Sequence, residues 1–102
     1  MTFAVCRITF PLVIRSFRNR ALRRYFEAAD PSGLSVPNVP RVGRMLQALD
    51  AATRPEQLNL PGFYWHPLQG VERWTIRVTG NWRMTFGWDG ADAVAVDLED
   101  YH

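Results

Sequence analysis

Five side chains in this sequence have the types that phosphoryl chemistry uses: Arg77, Arg83, Tyr101, His102 and His66. In WTIRVT and WRMTFGW, apolar and polar residues alternate, which places Arg77 and Arg83 among threonines on the polar face of two strands. Two guanidiniums on one sheet face bind a phosphodiester through charge-assisted, often bidentate hydrogen bonds. Imidazole exchanges protons near neutral pH, and a phenol hydrogen-bonds or stacks on a base. Internal transesterification of RNA needs these parts: a group that deprotonates or orients the 2′-OH, cations that stabilise the phosphorane, and a group that protonates the 5′-oxygen. It calls for no metal and no cofactor. Positioned acid–base groups contribute about 10²–10⁴-fold, and one electrostatic donor about 2.7–4 kcal/mol. Residue type alone leaves plainer readings open. Two arginines on a strand face are solvated surface, a Tyr-His terminus is a frayed end, and His66 before Pro67 is structural. On these grounds alone the residues support a small α+β domain, with binding of an acidic ligand as one open reading.

The elements that must hold these residues are readable from hydrophobic period. In SFRNRALRRYFEAA (16–29), Phe17, Ala21, Leu22, Tyr25, Phe26 and Ala29 recur at helical spacing, with arginines on the other side and Ser16 or Asn19 as cap. Pro31 and Gly33 break that helix. A second helix starts near Asn38 or Pro40 and runs to Ala52, its stripe formed by Val42, Met45, Leu46, Leu49 and Ala52. From residue 63 the period falls to two. Phe63–His66 is a short strand candidate stopped by Pro67. Trp74, Ile76 and Val78 share one face, as do Trp82, Met84, Phe86 and Trp88, so the tryptophans read as core. Gly80-Asn81 and Asp89-Gly90 are hairpin signals. A last strand puts Val94, Val96 and Leu98 together, with Asp97 opposite. The predicted fold class is α+β: an N-terminal αα-hairpin packed on one face of a mainly antiparallel β-sheet.

Composition bounds the chemistry further. The 102 residues make one domain, 1–102, with no repeat or internal boundary. All twelve basic residues are arginine; with no lysine, Schiff-base chemistry and a Walker lysine are excluded. Ten acids leave a formal net charge of +2, unevenly spread, because eight arginines precede residue 45 and eight acids follow it. A basic first half suits an acidic partner. Cys6 is the one cysteine, so no internal disulfide or zinc cluster is expected, and a reducing cytoplasmic setting is the default. The apolar start MTFAVCRITFPLVI lacks a basic n-region and a cleavage site and is too short to span a bilayer; it reads as a strand-like stretch or an addition to the domain.

The segments IRSFRNRALRRYFE, LDAATRPEQLNLPGF, WHPLQG, WTIRVTGNWRMTF and the ending VDLEDYH together resemble the HigB-type toxins of the RelE/ParE superfamily, in the family's order from Ile14 to His102. The resemblance implies a compact, microbial-RNase-like α+β fold and a ribosome-dependent mRNA endonuclease, an mRNA interferase without cofactor. It implies a HigA-type helix-turn-helix antitoxin as partner, with ribosome and mRNA as targets, no membrane, and DNA reached only through the antitoxin. Carried over residue by residue, Arg83, Tyr101 and His102 fall on the catalytic face, joined by Arg77 and His66. Arg77 and Arg83 would hold the phosphate, His102 would give or take a proton, and Tyr101 would position the substrate. Gln69, Arg73, Arg23 and Arg24 are the expected RNA-binding residues.

Two departures stand out. Many relatives have lysine where this chain has Gln69, which hydrogen-bonds a phosphate but cannot neutralise it; the loop GVER is also short, and Arg73 is the candidate replacement cation. At the front, relatives begin close to IRSF, so residues 1–12 read as an extension or an over-called start, with Val13 where an initiating residue would fall. Two other functions stay open: a ParE-like gyrase inhibitor that cuts nothing, and a catalytically weakened module that only binds antitoxin.

Overall fold

The computed structural model describes residues 14–100. The extension read above, 1–12, lies outside the described residues, as does the strand-like stretch 1–14 except for Ile14. Helix α1 spans Arg20–Ala28. Asn19 is the cap, its side-chain oxygen accepting from Leu22 N–H at 2.9 Å. The helix starts later than its periodicity predicts because Ser16–Arg18 are already paired. Arg18 N–H donates to Val96 O and Val96 N–H donates to Ser16 O, at 2.8 and 3.1 Å, in a parallel bridge along the last strand. Ala29 closes the helix with φ 56°, its N–H reaching Tyr25 O.

Helix α2 spans Val39–Ala51, with Asn38 as cap and Pro40 in the first turn. Its buried residues Val42, Met45, Leu46 and Leu49 are the expected stripe. A short 3₁₀ turn, Pro55–Leu58, follows and buries Leu58. The sheet has four strands in the order β1 (His66–Pro67), β2 (Arg73–Arg77), β3 (Trp82–Asp89) and β4 (Asp92–Asp100), all antiparallel. Its apolar face carries Ile76, Met84, Phe86 and Val96, fully buried against Leu22 and the α2 stripe. Each such side chain contributes roughly 1.5–3 kcal/mol by leaving water. Trp74, Trp82 and Trp88 pack around this core, half-buried. The α+β expectation therefore holds, with helices on one sheet face and the other face left for polar residues.

Two strand readings need correction. Phe63–His66 is not a strand: Tyr64 adopts φ 54°, which breaks extended pairing, and the strand is His66–Pro67. Pro67 sits within this edge strand instead of stopping it, since an edge position tolerates a missing N–H. Val94 does not share a face with Val96 and Leu98. Thr85 pairs with Asp97 but Gly87 pairs with Val94, so β4 carries one extra residue, a bulge at Ala95 (φ 50°). The bulge flips the alternation, and Ala93 takes the core position. Ala95 is held from both sides, its N–H by Ser16 Oγ at 2.8 Å and its carbonyl by Arg73 Nη2 at 2.9 Å.

Candidate active site

Strand register decides which side chains meet on the polar face. Arg77 of β2 is directly opposite Arg83 of β3, and Arg83 is opposite Glu99 of β4. One row over, His66, Thr75, Thr85 and Asp97 line up across all four strands. Side chains at paired positions share a face, so Arg77 and Arg83 lie together as their alternation predicts, and the register of β1 adds His66 to the same face. Like charges directly opposite each other destabilise a sheet. Here the pair is held by neighbours: Glu99 lies across from Arg83, and the Arg77 guanidinium stacks 4.8 Å from the Tyr64 ring centroid. Arg83 is further fixed at the β2–β3 connection, its Nη1 donating to Gly80 O at 2.9 Å and Thr79 O at 3.2 Å.

The row beside the arginines is made of threonines on β2 and β3. Thr75 and Thr85 are fully buried although they point to the polar face. Thr85 Oγ1 donates to Glu99 Oε2 at 2.6 Å and accepts from Arg73 Nη2 at 3.1 Å. Thr75 Oγ1 finds no partner among the described residues. Arg73 crosses the sheet beside Gly87, where a Cβ would meet its Nη1 at 3.6 Å, to reach the bulge. Its guanidinium thus braces β3 against β4.

His66 is exposed, with Nδ1 3.2 Å from Tyr64 O. A carbonyl can only accept, so this contact is a hydrogen bond when Nδ1 carries the proton, which makes Nε2 the acceptor nitrogen. Gln69 is exposed in the turn between β1 and β2. Tyr101 and His102 lie outside the described residues; β4 brings the chain to Asp100, opposite Trp82 and one position beyond the Arg83–Glu99 pair. Arg23 and Arg24 are not brought to this face. They stand on α1, in the layer covering the opposite side of the sheet, with Arg23 paired to Glu27 at 3.2 Å. Among the described residues no group of His, Cys, Asp and Glu could hold a metal ion.

Three residues of this region were not singled out by sequence. Glu99 follows from the alternation that sets Asp97 on the polar face, once β4 extends to Asp100. Tyr64 sits at positive φ, a conformation costing of order 1–3 kcal/mol, and nothing in the sequence signals it. Arg41 of α2 reaches across to the site loops, donating to Val78 O at 2.8 Å, Arg77 O at 3.0 Å and Gly62 O. A groove lined by Tyr25, Phe26, Gly43 and Leu46 lies between the helices, away from the arginine pair.

Residues 15–102 match the HigB-like toxin family, described as the RelE-like toxin of the type II toxin–antitoxin system HigB. The chain is also 39% identical over 92 residues to Endoribonuclease HigB of Proteus vulgaris, across 88% of this chain and 100% of that protein. No helix among the described residues is long and apolar enough to cross a membrane.

Proposed function

The chain belongs to the HigB-like family of RelE-like type II toxin–antitoxin toxins, and on that footing we propose that it is an endoribonuclease that cleaves mRNA on the ribosome and so arrests translation. The observation that carries this reading is the in-register pair Arg77–Arg83 on the polar face of the sheet, with His66 beside it. A like-charged cross-strand pair is unfavourable in the free protein and favourable once a phosphodiester lies over it.

In the proposed reaction the 2′-oxygen attacks the adjacent phosphorus, the bond from phosphorus to the 5′-oxygen breaks, and the products are a 2′,3′-cyclic phosphate and a 5′-hydroxyl. His66 Nε2 takes the 2′-OH proton and His102 returns one to the leaving 5′-oxygen. Arg77 and Arg83 stabilise the charge that builds on the non-bridging oxygens, which makes the mechanism independent of metal. Tyr101 positions the substrate, and Gln69 hydrogen-bonds a neighbouring phosphate. Arg73 acts from beneath, through Thr85 and the bulge. The arginine-rich face of α1, with Arg23 and Arg24, meets RNA of the ribosome or an acidic antitoxin segment. A HigA-type antitoxin is the cognate partner in the cytoplasm.

Inducing the chain in bacteria and capturing 2′,3′-cyclic phosphate ends tests this directly. Wild type should create such ends within translated mRNA, while Arg83→Ala or deletion of Tyr101-His102 should abolish both the ends and growth arrest. Growth arrest with intact mRNA and lost gyrase supercoiling would overturn it in favour of gyrase inhibition; no toxicity at all would favour a module that only binds antitoxin.

A further inference from the structure

Tyr64 is a large aromatic residue that the fold keeps in water: it is 63% exposed. Its backbone is in the left-handed region (φ 54°), which bulky residues rarely adopt. Four contacts hold it there. Phe63 O accepts from Arg77 N–H at 2.8 Å, Tyr64 O lies 3.2 Å from His66 Nδ1, and Arg41 binds the carbonyls of Gly62 and Arg77. One ring face is covered by the Arg77 guanidinium at 4.8 Å; at this exposure, the other face is open to solvent. A rigidly mounted aromatic ring, backed by a phosphate-directed arginine and next to an imidazole, has the geometry of a stacking platform.

We propose that Tyr64 is a nucleobase subsite: a base flanking the scissile phosphate stacks on its open face, forming a base–tyrosine–guanidinium stack that aims Arg77 at the phosphate. This rests on the RNA-cleaving reading above. Single-stranded RNA is the ligand class because stacking accepts any base, while the adjacent Arg77–Arg83 pair supplies the backbone contact. The ring matters here and the phenol oxygen does not, so phenylalanine should replace it and leucine should not.

The test compares wild type, Tyr64→Phe and Tyr64→Leu in cleavage of mRNA on programmed ribosomes, with thermal melting as the folding control. Tyr64→Phe should stay within about twofold of wild type. Tyr64→Leu should melt like wild type but raise KM by about 5- to 100-fold, the range of one lost base stack, with kcat changed far less. In parallel, an uncleavable 2′-deoxy tetranucleotide should shift the Tyr64 ring protons of wild type upfield in NMR spectra. Wild-type KM in a folded Tyr64→Leu variant, or ring protons that do not move, overturns the platform while cleavage by wild type leaves the nuclease reading standing. If wild type itself cleaves nothing, the nuclease reading fails first and the platform falls with it.

Discussion

Replacing Arg41 with leucine removes a clamp between the helical layer and the loops that carry the site. The Arg41 guanidinium donates to Val78 O at 2.8 Å in a half-buried position, to Arg77 O at 3.0 Å, and to Gly62 O, and it lies 5.6 Å from the Phe63 ring centroid. Leucine keeps the apolar stem and loses every donor. The half-buried Val78 carbonyl then loses its charged partner, costing about 1–3 kcal/mol. The two more exposed carbonyls return to water and forfeit about 0.5 kcal/mol each, and the cation–π contact adds about 0.5–1 kcal/mol. Freed side-chain entropy offsets part of the sum, by about 1 kcal/mol. The expected net loss is about 1.5–4 kcal/mol, or a Tm lower by roughly 6–30 °C for a domain of this size. Urea unfolding of the purified protein reads the first figure, with an unchanged m-value confirming that the change is one of stability. Arg41→Lys should recover no more than about a third of the loss, because one ammonium cannot reach three carbonyls spread over two segments. A leucine variant within about 0.5 kcal/mol of wild type, or a lysine variant equal to it, would show that the clamp contributes nothing and that segment 62–64 is held by other means.

Three further outcomes follow from the same geometry. Ala95→Gly should raise stability by about 0.5 kcal/mol, since glycine relieves φ 50° at the bulge and loses part of that gain to its freer unfolded chain; a lower urea midpoint would contradict the strain. Asp30 has its carboxyl held below the usual range, first by the Ser32 backbone N–H at 3.0 Å, then by the Ser32 hydroxyl and the nearby charge of Arg24. A depressed folded pKa means the contribution is fully present above the unfolded carboxylate value and is lost as pH falls through the folded one. The stability gap between wild type and Asp30→Asn should therefore be present at pH 7 and close below about pH 4; a carboxyl carbon NMR midpoint at or above the ordinary value would refute it. Gln69→Lys should speed single-turnover RNA cleavage on the order of tenfold, about 1.4 kcal/mol of transition-state stabilisation, because it adds a cation in the turn leading from His66 to Arg73. An unchanged rate would mean that Gln69 lies out of reach of the phosphate.

How far the sequence carries depends on whether a feature is set by neighbours or by distant partners. Val42, Met45, Leu46 and Leu49 repeat at helical spacing, and Trp74, Ile76, Met84 and Phe86 alternate, so the core and the two faces of β2 and β3 were legible. Alternation also put Arg77 and Arg83 on one face, but a face is not a register; that they sit directly opposite is fixed by the β2–β3 connection, where Val78 N–H meets Trp82 O at 2.9 Å. The misses share one cause. Ser16 was readable as a helix cap, yet its oxygen serves the Ala95 amide 79 positions away, and that same bulge reversed the assignment of Val94. Tyr64 lay in an aromatic run that alternation reads as strand, while Arg41 contacts from another layer hold the adjoining residues.

That division bears on the site itself. Local pattern supplies the two cations; long-range contacts supply what makes them tolerable, Glu99 through β4 and Tyr64 through a strained turn. A face selected for stability alone would set an acid opposite one arginine within β2 and β3. Under the proposed function the missing charge belongs to the substrate, so Arg77→Glu should leave the stability of the free protein within about 0.5 kcal/mol, the new pair with Arg83 offsetting the lost Tyr64 contact, while removing cleavage. Cleavage lost while urea unfolding stays at the wild-type midpoint is a result that a purely structural arginine does not produce.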